Sequence, residues 1–251
     1  MKFIAIIPSR YASSRFPGKA LALIQEIPMI LRVYQQVSKT PGIDQVYVAT
    51  DDIRIARIIE EADGDVIMTS EDHPTGTSRC KEAKDILVAG GFINNKDIII
   101  NIQGDEPFID PKQIQLVMES FASDHINICT LVKKIESKDD IFDDNVVKVV
   151  VNQAGKCLLF SRQAIPFLRD AKREDWIHKH GFLKHIGLYA YRAETLDKIS
   201  QLNKSSLEEA ESLEQLTWIV NGFDVFAQLT TIESIGIDVP EDLLKFNGET
   251  W

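Results

Sequence analysis

Short β-branched runs at residues 3–7, 45–49, 65–68 and 97–102 alternate with segments whose apolar residues recur at helical spacing. Ile30, Val33, Tyr34 and Val37 make one helical face, and Ile55, Ile58, Ile59 and Ala62 make another behind an Asp51-Asp52 N-cap signal. Parallel neighbours need long crossovers, and each crossover helix covers a face of the sheet, so this alternation specifies βαβ units around a mostly parallel sheet. The loops that leave these strands then gather at the carboxyl edge, where ligands of open α/β sheets bind.

The second half is less regular. Residues 146–151 and 157–160 flank Asn152-Gln153-Ala154-Gly155, which suits a hairpin inserted into the layer pattern. Residues 168–182 carry mixed charge, two histidines and two aromatics, and read as an irregular loop that is mobile or meets a partner subunit. Helices follow at 193–201 and 206–220, then a strand at 225–229 and a short helix after Pro240, a residue suited to a first helical position. Without repeats, low-complexity tracts or a linker, the expectation is a single domain over residues 1–251, a size at which one α/β core can be buried.

No segment reaches the ~20 apolar residues that span a bilayer, and the first apolar run stops at Pro8, too short for a signal-peptide core. Three widely spaced cysteines (Cys80, Cys129, Cys157) give neither a disulfide framework nor zinc spacing, so a cytoplasmic protein without membrane association is expected. A net charge of −10 argues against general nucleic-acid binding, which needs a surplus of Lys and Arg. Against that background, residues 10–19 hold three cations and no anion.

That basic loop, Arg10-Tyr11-Ala12-Ser13-Ser14-Arg15-Phe16-Pro17-Gly18-Lys19, leaves the first strand without a dinucleotide fingerprint or a Walker motif. Arg10, Arg15 and Lys19 can hold a polyphosphate through guanidinium forks and a point charge, assisted by backbone amides at Ser13, Ser14 and Gly18. The same composition suits a solvated basic turn. Residues 97–107 end a buried strand on Gln103-Gly104-Asp105-Glu106, which brings carboxylates to the same edge, and Gly104 permits close backbone approach. Mg²⁺ on a triphosphate takes one or two carboxylates, so Asp105 is a candidate ligand and Asp238, in a second acidic turn, can oppose it. Both turns equally suit helix starts.

His73-Pro74-Thr75-Gly76-Thr77-Ser78-Arg79 offers hydroxyls, a glycine and a guanidinium to a base or sugar edge; Thr77 is its candidate helix cap. Residues 184–192 alternate as a strand with His185, Gly187, Tyr189 and Tyr191 on one face, suited to a sugar or to a satisfied core. In the helix over 206–220, Glu214 borders the buried stripe and Gln215 falls on the far side, while Glu208, Glu209 and Glu211 read as a solvated face.

Together these segments resemble the CMP-KDO synthetases, a branch of the sugar nucleotidyltransferases. The resemblance runs in order through residues 6–19, Val48-Ala49-Thr50-Asp51, residues 72–79, Asn101-Ile102-Gln103-Gly104-Asp105-Glu106-Pro107, residues 145–150, Phe160-Ser161-Arg162, residues 185–192, Leu213-Glu214-Gln215-Leu216 and residues 236–242. Ser9, Phe16, Ala20 and Val239 depart from the usual family residues without removing a charge, and residues 168–182 match poorly.

The resemblance implies a Rossmann-like nucleotidyltransferase fold. It also implies transfer of CMP from CTP to the anomeric hydroxyl of 3-deoxy-D-manno-octulosonate (KDO), by in-line displacement of pyrophosphate, for lipopolysaccharide synthesis. It assigns Arg10, Arg15 and Lys19 to the triphosphate, His73, Thr75, Gly76, Arg79 and Gln103 to cytidine, and Asp105 with Asp238 to Mg²⁺, so that Lys19, Asp105 and Asp238 are the catalytic group. Arg162, His185, Tyr189, Glu214 and Gln215 would bind the sugar acid, and a homodimer is implied. Turnover of 8-amino-KDO or a sialic acid by the same chemistry is the alternative.

Overall fold

The computed structural model describes residues 1–12 and 16–245. In chain order its elements are β1 (Phe3–Ser9), β2 (Leu23–Ile24), β3 (Ile27–Pro28), α1 (Met29–Ser38), β4 (Gln45–Thr50), α2 (Ile53–Glu60), β5 (Asp65–Met68), α3 (Gly76–Ala89) and β6 (Ile98–Asn101). Then come α4 (Pro111–Ser120), β7 (Ile128–Lys134), α5 (Lys138–Phe142), β8 (Lys148–Val151), β9 (Cys157–Ser161), α6 (Trp176–Lys179) and β10 (Leu183–Arg192). The last are α7 (Ala193–Ile199), α8 (Ser206–Glu211), α9 (Glu214–Val220) and β11 (Val225–Thr230). Single 3-10 segments lie at Lys19–Leu21, Arg173–Asp175 and Pro240–Lys245. Among the described residues no helix is long and apolar enough to cross a membrane.

The chain groups into two compact units. The first takes Met1–Gln115, Ala190–Ser200 and the described part of Ser234–Trp251; the second takes Leu116–Tyr189 and Gln201–Glu233. The backbone therefore visits the first unit three times.

In the first unit, β6, β1, β4 and β5 lie side by side in that order, all parallel. Continuous apolar runs mark parallel strands covered on both faces, and Ile4 to Ile7 and Ile98 to Ile100 are fully buried. The crossover helix α1 buries Met29, Ile30, Val33 and Val37. In α2 the buried set is Ile55, Ala56 and Ile59, and the helix stops at Glu60, so Ala62 falls outside the expected stripe and is exposed. Asp52 caps α2 by accepting from the Arg54 amide at 2.8 Å, as its sequence signal predicts. Because all four strands are parallel, the turns after Ser9, Thr50, Met68 and Asn101 leave from one edge.

In the second unit β7 pairs in parallel with β11, and β8 pairs antiparallel with β9 and with the start of β10. The predicted hairpin is thus present. Residues 168–182 are not an irregular loop throughout: Trp176 and Phe182 are buried, their rings stacked with centroids 5.8 Å apart, and they pack with Ile135 and Ile141. Mixed charge hid a short helix anchored by one tryptophan.

Candidate active site

In the first unit the turns after β1, β5 and β6 line a pocket of about 260 Å³ together with residue Asp238. Its walls include Ser9, Arg10, Lys19, His73, Thr75, Gly76, Arg79, Gln103, Asp105 and Asp238. Nearly every nucleotide, metal and catalytic residue named from the sequence is therefore brought to one place. Arg15 lies outside the described residues.

Lys19 opens a 3-10 turn after Gly18, whose φ of 71° is left-handed and whose amide bonds back to the Tyr11 carbonyl at 3.1 Å. A side chain at Gly18 would also press on the Tyr11 ring, 3.2 Å from its nearest atom. Tyr11 in turn lies under the Arg54 guanidinium, 3.4 Å from the ring centroid, and Arg54 is held in a fork by Asp52. The basic loop is thus tied to the start of α2.

Beneath the pocket, Ile24, Met29 and Ile237 form a buried apolar knot against Phe16, Phe108, Ile235 and Leu243. The knot joins the three segments that carry Lys19, Asp105 and Asp238. The Ile237 amide adds a hydrogen bond to the Asp105 carbonyl at 3.0 Å. As a result the Lys19 ammonium stands 2.5 Å from Asp105 Oδ2 and 3.4 Å from Asp238 Oδ1. Two carboxylates from distant parts of the chain converge on one cation.

Among the described residues no cluster of three or more His, Cys, Asp or Glu side chains is assembled. A pair of hard oxygen donors beside a basic loop suits Mg²⁺, which completes its shell with phosphate and water oxygens. It does not suit zinc, which is held by three or four protein ligands. Beside the pair, burial and the Asp105 charge push the Glu106 carboxyl up to about 8. Gly104 is required by space: a Cβ there would sit 2.9 Å from the Pro8 carbonyl oxygen.

The wall contributed by residues 73–79 is set by the start of α3. Thr75, not Thr77, caps the helix in a reciprocal box with Ser78, while Thr77 is buried. His73 is an anchor: Nδ1 lies 3.2 Å from the Ser78 hydroxyl and Nε2 meets the Glu82 carboxylate. Arg79 is buried, donating to Thr69 at 2.6 Å and lying 3.4 Å from Asp51. Arg10 is exposed at the pocket wall.

The proposed sugar residues all belong to the second unit. His185 and Tyr189 touch, ring centroids 5.2 Å apart, and Tyr189 meets Trp218 of α9 edge-on at 5.2 Å. The predicted single helix over 206–220 is broken: Ser212 adopts φ 53° and ends α8, and α9 restarts at Glu214. α9 buries Gln215, Leu216, Thr217 and Trp218 and leaves Val220 exposed. Gln215, expected on the far side of a stripe through Leu213, Leu216 and Val220, is therefore buried, and its amide nitrogen has no protein partner. Glu208 is likewise buried against Thr217, and Glu211 accepts from the Ser161 hydroxyl at 2.6 Å and the Arg162 amide at 2.8 Å. Neither belongs to a solvated face. The Arg162 guanidinium is spent on the Glu211 and Asp144 carbonyls, at 2.8 and 2.9 Å. Thr130, missed because β7 was not recognised in the run Ile128-Cys129-Thr130-Leu131-Val132, bonds His185 Nε2 at 2.9 Å. Trp218 was read only as helix; a lone aromatic at helical spacing gives no signal of a ring contact.

A cytidylyltransferase family profile matches residues 4–232. The 3-deoxy-manno-octulosonate cytidylyltransferase of Parabacteroides distasonis is 51% identical over 98% of this chain and 96% of its own. That of Cytophaga hutchinsonii is 50% identical, with the same shares covered. The structure of a CMP:2-keto-3-deoxy-manno-octonic acid synthetase complexed with CTP superposes with a TM-score of 0.88 at 37% identity, covering 98% of this chain and 97% of that one. The chain belongs to the 3-deoxy-manno-octulosonate cytidylyltransferase family of nucleotidyltransferases.

Proposed function

We propose that this protein transfers CMP from CTP to the anomeric hydroxyl of KDO, releasing pyrophosphate. The observation that carries the proposal is the convergence of Lys19, Asp105 and Asp238 in a pocket whose rim holds Arg10. Phosphoryl transfer asks a protein for positioning and charge neutralisation more than for a covalent partner. Lys19 supplies a fixed positive charge for the phosphates, and Arg10 a fork at the wall. Gly76 lets the wall of the pocket close on Pro8: a Cβ there would lie 3.2 Å from the proline ring. Asp105 and Asp238 would hold Mg²⁺, which when bound neutralises phosphate oxygens and lowers the pKa of a hydroxyl beside it. His185, Tyr189, Glu214 and Gln215 are the residues proposed for the sugar acid.

Action as a homodimer in the cytoplasm extends the proposal; the family resemblance supports it, and Cys80, Cys129 and Cys157 are buried free thiols. Pyrophosphate release should be measured with Mg²⁺, each of the four ribonucleoside triphosphates, and KDO, 8-amino-KDO or a sialic acid. CTP with KDO should give the highest kcat/KM. Preference for another triphosphate, or for either other acid, would overturn the substrate assignment.

A further inference from the structure

The tautomer of His185 can be read from the geometry of Thr130. The Thr130 side chain is fully buried, and its oxygen lies 2.8 Å from the Leu188 carbonyl, 3.1 Å from the Ile186 carbonyl and 2.9 Å from His185 Nε2. A hydroxyl has one hydrogen to give, and carbonyl oxygens only accept. The hydrogen therefore points to one of the two carbonyls, and His185 Nε2 faces a hydroxyl lone pair. Nε2 must donate. In the opposite tautomer the Thr130 hydrogen would turn to the ring, and two carbonyl oxygens would face a lone pair with nothing between.

The ring carries that one proton alone. Burial pushes the imidazole down to about 3, so it is neutral around pH 7 and Nδ1 is unprotonated. Phe160 meets the ring edge-on at 5.2 Å and Tyr189 lies at 5.2 Å on a tilt, which fixes the ring plane with apolar contacts. Among the described residues, the hydrogen bond of the ring goes to Thr130. Nδ1 is left as an acceptor.

We infer that Thr130 is a positioning residue that fixes His185 in the Nε2–H tautomer, so that Nδ1 accepts a hydroxyl hydrogen of the sugar acid and repels its carboxylate. This rests on the sugar-acid reading of the site and adds the direction of the hydrogen bond: His185 reads a hydroxyl, and the carboxylate of the substrate must be met by donors elsewhere.

Long-range ¹H–¹⁵N spectra of the full chain labelled at histidine, with the His185 signal assigned through His185→Gln, test this directly. The wild type should show the neutral Nε2–H pattern at pH 7, with and without KDO. Thr130→Val should lose that single pattern and raise the KM for KDO about fivefold, the worth of one hydrogen bond, while kcat and the KM for CTP hold. Thr130→Ser should restore both. An Nδ1–H or doubly protonated ring in the wild type overturns the inference even if Thr130→Val does not fold, as does Thr130→Val with unchanged tautomer or unchanged KM. The spectra need no turnover: the expected tautomer without pyrophosphate release from CTP and KDO would instead sink the sugar-acid reading.

Discussion

The Lys19 ammonium lies 2.5 Å from Asp105 Oδ2, closing a gap of 86 residues in sequence, and its other neighbour, Asp238, is 219 residues away. Replacing Lys19 with Met keeps most of the stem volume and removes the charge. The two carboxylates then lose the ammonium between them, and the phosphates lose a fixed positive partner. Lys19→Met should lower kcat/KM by about 10²–10³, the scale for removing one preorganised electrostatic contact, with thermal unfolding little changed. Arginine should rescue poorly, because its planar fork does not reproduce a point charge between two oxygens. Steady-state kinetics alongside melting curves check both.

Gly104→Ala tests whether the approach of the Asp105 turn to β1 is obligatory. A Cβ 2.9 Å from the Pro8 carbonyl forces backbone away from backbone, at a cost of about 1–3 kcal/mol. Because the displaced segment carries Asp105, turnover should fall with stability. Gly236→Ala, where a Cβ meets nothing within 4 Å, should shift the urea midpoint by less than the equivalent of about 0.5 kcal/mol.

Much of this site was legible because its chemistry sits on strand-to-loop transitions. Continuous Ile runs marked β1 and β6, and whatever follows such strands must reach the carboxyl edge, so Lys19 and Asp105 were placed before any distance was known. Asp238 was harder to weigh, since an acidic turn before Pro240 also reads as a cap. Periodicity failed in the second unit for a definable reason. The left-handed Ser212 splits the helix, and α9 buries four successive residues from Gln215 to Trp218 while Val220 is exposed, so a stripe drawn through Leu216 and Val220 puts Gln215 on the wrong side. Glu211 finds its partners on Ser161 and Arg162, about 50 residues away, which no helical period reveals. A serine at φ 53° has no sequence signature comparable to glycine.

Glu211 carries a measurable consequence of that correction. Glu211→Ala strips acceptors from the Ser161 hydroxyl and the Arg162 amide and should destabilise the protein by about 1–3 kcal/mol in chemical denaturation. Glu209→Ala on the exposed side of α8 should stay within about 0.5 kcal/mol. Equal effects at the two positions would return Glu211 to the surface.

His185 gives the pH dependence of stability a specific component. Its imidazole is pushed from the usual 6.5 down to about 3 by burial, so in the window between those values the unfolded chain takes up a proton that the folded chain refuses. The stabilising contribution is whole above about pH 6.5 and is lost progressively as pH falls toward 3. Urea midpoints followed from pH 7 to pH 4 should decline less steeply for His185→Gln than for the wild type. Parallel declines would show that the ring is protonated as readily in the folded protein as in the unfolded one.

The reaction itself is read most directly by ³¹P NMR of CTP, KDO and Mg²⁺ incubated with the wild-type protein and with Asp105→Asn. The wild type should convert CTP into one phosphodiester signal and pyrophosphate in equal amounts, and Asp105→Asn should leave the triphosphate resonances intact while melting like the wild type. Hydrolysis to CMP or CDP without a phosphodiester, or full activity in Asp105→Asn, would contradict the account.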